Sequence, residues 1–234
     1  MQKVMTELPE TRYIELPEAS IAYSISGKGW PLLLLHGFPE THVAWFQIAP
    51  FLEDRFMLIM PDLPGYGDSI VTASGGDDRY TKRNMARLLV AFMEKLGYRQ
   101  FSLAGHDRGA RVAFRLCLDF PHHVQKVAML DIIPTADIAD RLNFKLASSL
   151  GNWWLMGQPS PLPETLLAAS HEFYLEHILH SWSGGKAFLI LSPGANTPVV
   201  LGIRHQGVLF LLNTAWAIRL TWKMNSKAGR KARK

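Results

Sequence analysis

Short apolar runs alternate with longer segments of helical periodicity through the first 134 residues. In residues 84–97 apolar side chains recur three or four positions apart and end at a glycine, and residues 111–120 repeat this spacing up to a proline. This alternation is typical of a mostly parallel sheet covered by helices. After Pro134 the pattern changes to helices rich in Trp and His. The apolar runs that predict strands are residues 21–25, 32–35, 56–62, 101–105 and 124–131.

Length and composition favour one globular domain. The chain has 234 residues, of which 48% are hydrophobic and 19% charged, enough to bury a substantial core. The first residues, MQKVMTELPE, carry acids and no long apolar run, so no signal peptide is expected. The apolar stretch at residues 207–218 is too short to span a bilayer, so no membrane partner is expected. The single cysteine, Cys117, excludes an internal disulfide and fits a reducing, cytoplasmic compartment.

The net charge of +5 is concentrated at the carboxyl end of the sequence. No Asp or Glu follows Glu176, whereas nine Lys and Arg residues do, so the preceding part carries a net charge of −4. The ending SKAGRKARK could bind nucleic acid, but no aromatic residues are interleaved with its charges. A solvated terminal segment is therefore the preferred interpretation, and nucleic acid is not an expected partner.

Asp107 stands between two glycines, in the sequence GHDRG, where a predicted strand meets a predicted helix. Glycines at both flanks allow a tight, strained turn that lifts the central side chain into a cleft. The amides at the start of the next helix favour an anion at that place. The alternative is that Asp107 simply caps the helix that begins near Arg108.

Two further motifs belong to the same predicted sheet edge. The strand at residues 32–35 runs into His36-Gly37-Phe38-Pro39, a loop that can offer a backbone N–H to an oxyanion, and the second N–H would come from Arg108. His36 is interpreted as a structural hydrogen-bonding residue rather than a base. Asp131 closes the strand at residues 124–131, where an acid can orient a histidine or cap a turn.

Together these motifs resemble the α/β-hydrolase superfamily and, within it, the haloacetate (fluoroacetate) dehalogenases. The resemblance is carried by HGFPETHVAW, DLPGYGDS, GHDRGARVAFRL, DIIPT and WWLMGQPSPLPE, which stand in that family's order and spacing between about residues 21 and 182. It implies an α/β-hydrolase core over residues 1–134 and a helical cap over residues 135–185. Residues 186–234 then form a divergent basic region.

The resemblance implies that Asp107 is the nucleophile. Its carboxylate would attack the halogen-bearing carbon, expel halide and form an ester. Water activated by a histidine, itself oriented by Asp131, would hydrolyse that ester. The partner would be a small halo-acid, no metal or cofactor is implied, and a homodimer is one expected assembly.

Five further residues are implied to bind the substrate. Arg108 and Arg111 would clamp its carboxylate, which agrees with the need to neutralise repulsion between an anionic nucleophile and an anionic substrate. Trp153 in the cap would donate its indole N–H to the leaving halide, with Asn152 beside it. Phe38, in the loop after the first buried strand, completes the substrate-binding set.

Two other functions remain open. Epoxide hydrolases resemble the chain at HGFP and at the GHDRG turn, but they usually carry Trp after the nucleophile, where this chain has Arg108. Their caps offer tyrosines to the epoxide oxygen, and Tyr174 is the only tyrosine that follows Asp107. The second alternative is a non-catalytic binder of small carboxylates or a non-functional fragment.

The family pattern ends after Trp182. The strands that should follow, and the loop with the hydrolytic histidine, are not recognisable in the sequence, which looks like a shifted frame or a truncation. His205 is the only histidine beyond the predicted cap, and its surroundings match nothing in the family. Attack by Asp107 does not need that histidine, whereas ester hydrolysis does, so a single turnover ending in a trapped ester is expected.

The identity of Asn152 generates a prediction about the leaving group. Fluoroacetate-preferring members of the family carry histidine there, and Asn can donate a hydrogen bond to halide but cannot carry a positive charge. Because fluoride is the poorest leaving group, it depends most on that charge. We therefore expect slower release of fluoride than of chloride or bromide from matched halo-acids. Equal fluoride and chloride release, measured by ion-selective electrode, would contradict this inference.

Overall fold

A sheet of seven strands forms the centre of the protein. The computed structural model describes residues 10–72, 79–159, 161–182, 187–191, 199–205 and 208–210. The strands of the central sheet are β1 (Arg12–Leu16), β2 (Ala19–Gly27), β3 (Trp30–Leu35), β4 (Phe56–Pro61), β5 (Ile70–Val71), β6 (Phe101–His106) and β7 (Val124–Leu130). Their spatial order is β1-β2-β4-β3-β6-β7, and β5 pairs with β2.

The sheet is parallel on the side that carries the predicted site. Strands β4, β3, β6 and β7 pair in parallel, whereas β1 and β2 are antiparallel to their neighbours. Strand β6 lies between β3 and β7, with Leu33 opposite Leu103 and Ala104 opposite Ala128. The carboxyl ends of these three strands therefore meet at one edge. The predicted mostly parallel sheet is confirmed.

Among the described residues, three α-helices lie between strands of this sheet in the sequence, and four more come after its last strand, β7. The α-helices are α1 (Ala49–Leu52), α2 (Lys82–Lys95), α3 (Asp107–Asp119), α4 (Thr135–Asp140), α5 (Phe144–Ser149), α6 (Gly151–Met156) and α7 (Leu162–Trp182), and 3-10 turns cover His42–Trp45 and Pro121–His123. Helix α2 begins after Thr81, whose hydroxyl oxygen accepts the Asn84 N–H at 3.2 Å. Helix α7 is kinked at Ser170.

The run of four leucines in β3 is buried because the sheet is covered on both faces. Successive strand residues point to opposite faces, so Leu33 and Leu35 join the cluster formed with α2 and α3. Leu32 and Leu34 join a second cluster that contains residues of α1 and the 3-10 turn before it. A continuous apolar run without alternation is the pattern of a strand buried on both faces, as the sequence predicts.

The structure adds strands that the sequence pattern does not predict. Strands β1 and β5 extend the sheet at its antiparallel end. A separate antiparallel sheet contains β8 (Ala187–Leu191), β9 (Val199–His205) and β10 (Val208–Phe210). In the part of the chain that is described, this second sheet does not continue the first beyond β7. The predictions for residues 1–9 and for the basic ending at residues 226–234 lie outside the described residues.

No α-helix within those described ranges is both long enough and apolar enough to pass through a bilayer.

Helix α3 approaches strand β3 so closely that Gly109 has no room for a side chain. A Cβ placed there would lie 2.2 Å from the carbonyl oxygen of Leu35 and 2.5 Å from that of His36. Both contacts are to backbone, which cannot rotate away. The second glycine of the GHDRG turn is therefore required by packing between the helix and the strand.

We expect Gly109→Ala to lower the free energy of unfolding by about 3 kcal/mol, because the new methyl group overlaps backbone atoms. Gly151→Ala is the matched control, since a Cβ there meets nothing within 4 Å and the residue lies in helix α6. Alanine favours the helix over glycine, so this control should be neutral or slightly stabilising. Urea unfolding followed by circular dichroism measures both, and equal midpoints for the two variants would contradict the packing argument.

Candidate active site

Asp107 occupies a strained turn between β6 and α3. Its φ is 44°, in the left-handed region that few non-glycine residues adopt. Gly105 permits the turn, because a Cβ there would lie 2.6 Å from the Ala110 nitrogen. The N-cap of α3 is His106, without a side-chain capping hydrogen bond, and Asp107 Oδ1 instead accepts the Phe38 N–H at 2.9 Å. The helix-cap interpretation is therefore wrong, and the side chain is held across the turn toward the loop after β3.

His36 in that loop is fixed by two hydrogen bonds to backbone. Its Nε2 accepts the Leu63 N–H at 2.9 Å, so Nδ1 carries the proton and donates to the Gly37 carbonyl at 2.9 Å. The side chain is fully buried, and burial lowers the pKa of His36 although the nearby Asp62 opposes this shift. Because the free lone pair of the imidazole already accepts the Leu63 N–H, His36 is not available as a base. The structural interpretation of His36 is confirmed.

A buried acid in the same loop contacts the residue before Asp107. Glu40 Oε2 accepts the Gly37 N–H at 2.7 Å and lies 3.3 Å from His106 Nδ1. Burial acts against the charged form of His106, but Glu40, Asp107 and Asp131 outweigh it and raise the pKa of the imidazole. This pair is not predictable from the sequence. The sequence signal for this contact is limited to an acid four positions after His36, because no spacing rule connects residues 40 and 106.

Two arginines from the first turns of α3 stack on aromatic rings. The Arg108 guanidinium carbon lies 5.5 Å from the centre of the Phe38 ring, and that of Arg111 lies 4.5 Å from the Trp153 ring. Arg111 also donates to the Thr135 hydroxyl through Nη1. Its Nη2 is buried and has no hydrogen-bond acceptor among the described residues. Burial lowers the pKa of Arg111, and Asp107 opposes that shift.

Lys82, at the start of α2, is within electrostatic reach of both arginines. Burial and repulsion from Arg108 and Arg111 lower the pKa of Lys82 to about 7, against the opposing effect of Asp107. This lysine is not distinguished in the sequence, because position 82 has the pattern of an ordinary solvated residue in the first turn of an amphipathic helix.

Asp131 follows β7 as Asp107 follows the neighbouring β6. It also has a positive φ, 51°, and its backbone carries the chain from the sheet toward α4. Among the described residues that line the cavity around Asp107, His106 is the single histidine. His205, the late histidine of the sequence, lies in β9, and its side chain is outside the described part of the structure.

All seven residues singled out from the sequence line one cavity. Its volume is about 610 Å³, and its walls come from loops at the sheet edge, from the start of α3 and from the segments that follow β7. In the described part of the chain no cluster of three His, Cys, Asp or Glu side chains could hold a metal ion. The seven predicted lining residues are Phe38, Asp107, Arg108, Arg111, Asp131, Asn152 and Trp153.

The sequence is similar to known hydrolases over most of its length. A sequence profile of the α/β hydrolase fold matches residues 31–198. A fluoroacetate dehalogenase from Burkholderia sp is 36% identical over 174 residues, which are 74% of this chain and 57% of that protein. A soluble epoxide hydrolase from Corynebacterium sp. (strain C12) is 32% identical over 158 residues, which are 67% of this chain and 54% of that protein. The chain thus spans little more than half the length of these relatives.

Solved structures give the same result. An α/β hydrolase from Nostoc sp PCC 7120 superposes with a TM-score of 0.76 at 39% identity, covering 94% of this chain and 72% of that one. A Pseudomonas aeruginosa protein described as an epoxide hydrolase superposes with a TM-score of 0.79 at 32% identity, covering 95% and 70%. Together with the strained turn at Asp107 and the parallel sheet that supports it, these similarities show that the chain belongs to the α/β-hydrolase family.

Proposed function

We propose that the protein is a hydrolytic dehalogenase of small 2-halo carboxylic acids that works through an ester on Asp107. One observation carries this proposal. The carboxylate of Asp107 shares its cavity with Arg111, whose buried Nη2 has no acceptor in the described structure. A buried donor without an acceptor is costly, and a substrate carboxylate would satisfy it. A nucleophilic carboxylate beside an anion-binding group suits an acid that carries a leaving group.

In the first step an Asp107 oxygen attacks the carbon that bears the halogen. A carbon–oxygen bond forms, the carbon–halogen bond breaks, and the halide leaves with its electron pair. The Phe38 N–H holds Oδ1 at 2.9 Å, so Oδ2 is the oxygen available for attack. Fixing one oxygen orients the other toward the substrate before the reaction begins.

Arg108 and Arg111 would neutralise the repulsion between the Asp107 carboxylate and the substrate carboxylate. Their planar guanidinium groups bind a carboxylate through paired hydrogen bonds, and stacking on Phe38 and Trp153 restricts their motion. The substrate would therefore be held with its charge on the arginines and its halogenated carbon beside Asp107. Asn152 and Trp153, from α6, would donate hydrogen bonds to the departing halide.

In the second step water would attack the carbonyl carbon of the ester. The resulting oxyanion would be stabilised by the N–H groups of Phe38 and Arg108, and Asp131 would orient the histidine that activates the water. His106 is the cavity-lining histidine of the described chain, but its Nδ1 faces Glu40. The expectation of a trapped ester therefore stands as part of the proposal.

An epoxide hydrolase is the second candidate, because the Corynebacterium relative and the Pseudomonas structure carry that description. Such an enzyme would need a cap tyrosine to protonate the epoxide oxygen. The hydroxyl of Tyr174 is buried, and this residue is not among the described residues that line the cavity. Arg108, next to the nucleophile, also suits an anionic substrate better than a neutral epoxide. Both features favour the halo-acid.

Incubation with chloroacetate or bromoacetate should leave one carboxymethyl group on the protein, attached to Asp107. Ester formation needs only groups that line the cavity, whereas its hydrolysis needs the activating histidine. Intact-mass spectrometry and peptide mapping measure the adduct. Asp107→Asn should give none, while a non-catalytic carboxylate binder would give none in either form. Continuous halide release over many turnovers would refute the trapped ester but not the attack by Asp107.

Arg111→Leu should slow adduct formation from bromoacetate about 100-fold, the effect of losing charge-assisted hydrogen bonds worth about 3 kcal/mol. Arg115→Leu is the matched control one turn along α3, where the guanidinium pairs with Asp119 instead of the cavity. Its rate should stay within about twofold of wild type. A similar loss in both variants would mean that the arginines act on folding, and no loss in Arg111→Leu would remove the carboxylate clamp.

A further inference from the structure

The cavity is larger than a two-carbon acid requires. Its volume of about 610 Å³ lies in the range that proteins use to bury drug-sized ligands. The charged groups that the proposed reaction uses, Asp107, Arg108 and Arg111, account for only part of its lining. Within the described part of the chain, the rest of this lining is available to a part of the substrate that haloacetate lacks.

That remaining lining is rich in branched apolar side chains. Ile132 and Ile133 follow Asp131 directly, Ile138 comes from α4, and Leu150 lies between α5 and α6. Ile133 is 52% exposed although it borders the cavity. Apolar surface of this kind binds apolar groups. We refer to these four residues as the isoleucine wall.

We propose that the substrates are 2-haloalkanoic acids whose alkyl group contacts the isoleucine wall. This inference rests on the proposed function and names its substrate class. The carbon attacked by Asp107 bears the carboxylate, the halogen and, in haloacetate, two hydrogens. With the carboxylate on the arginines, replacing one of those hydrogens by an alkyl chain extends the molecule into space that a two-carbon acid leaves empty.

The chemistry of the step is the same for the longer acids. An Asp107 oxygen bonds to the second carbon, and halide leaves with its electron pair. An alkyl substituent on the attacked carbon slows such displacements intrinsically. The rates of the longer acids are therefore not compared with that of bromoacetate. Acids that all carry a secondary bromide, such as 2-bromopropanoate, 2-bromobutanoate and 2-bromohexanoate, differ almost only in the length of their apolar group. Each methylene removed from water strengthens binding about fourfold.

The full chain is incubated with each racemic acid, and the rate of adduct formation divided by acid concentration is measured by intact-mass spectrometry. We expect this rate to rise at least about tenfold from 2-bromopropanoate to 2-bromohexanoate. A flat or falling series, with an adduct still formed from bromoacetate, would overturn the inference and leave the proposed function standing. Absence of both an adduct and halide release with every acid, bromoacetate included, would overturn both the inference and the proposed function.

Two isoleucines with equal exposure give matched variants. Ile133→Trp should lower the ratio of the hexanoate to the propanoate rate by about fivefold or more, because the indole fills the space of the alkyl chain. Ile70→Trp is the control: Ile70 is 51% exposed, lies in β5 and is not in the cavity lining. Its ratio should match wild type. Ile133→Ala should also lower the ratio, through lost contact, and unchanged ratios in both Ile133 variants would overturn the inference.

Discussion

The hydrogen bond from the Phe38 N–H to the Asp107 carboxylate joins the two loops on which the site depends. Asp107 makes this bond with a positive φ, a conformation that costs of order 1–3 kcal/mol for a non-glycine residue. That strain persists because α3 packs directly on the end of β3 at Gly109, where no side chain fits. The position of the carboxylate is thus a consequence of how tightly the helix meets the sheet.

Charge around this carboxylate is strongly asymmetric. Arg108, Arg111 and Lys82 lie on the side of α2 and α3, and burial together with their mutual repulsion lowers the pKa of Lys82 to about 7. Like charges are brought together in a protein interior only when an anion offsets them or when one of them gives up its proton. Asp107 provides part of that compensation. In the proposed reaction, a substrate carboxylate bound by Arg108 and Arg111 would add to that compensation.

Local pattern was enough to predict the strands of the parallel sheet and the turn that presents Asp107, whereas the substrate-binding residues were expected from the family resemblance. The continuous leucines of β3 and the glycines of the GHDRG turn each have one structural interpretation that accounts for them. Contacts between distant segments were not predictable in this way. The Glu40–His106 pair joins the loop after β3 to the end of β6. The pKa of Lys82 is lowered by burial and by the arginines of α3, which helix packing brings beside α2. Strand β5, with two residues, is too short to show an alternating pattern.

The two halves of the proposed reaction make different demands on the residues around the cavity. Attack needs a fixed carboxylate and cations that hold the substrate. Asp107, Arg108 and Arg111 of α3 supply these groups, and the Phe38 N–H after β3 fixes the carboxylate. Hydrolysis needs a histidine that accepts a proton. His106 lines the cavity, but its Nδ1 lies 3.3 Å from Glu40, and Glu40, Asp107 and Asp131 raise the pKa of the imidazole against the opposing effect of burial. The described residues therefore account for the proposed attack by Asp107 more completely than for hydrolysis of the ester.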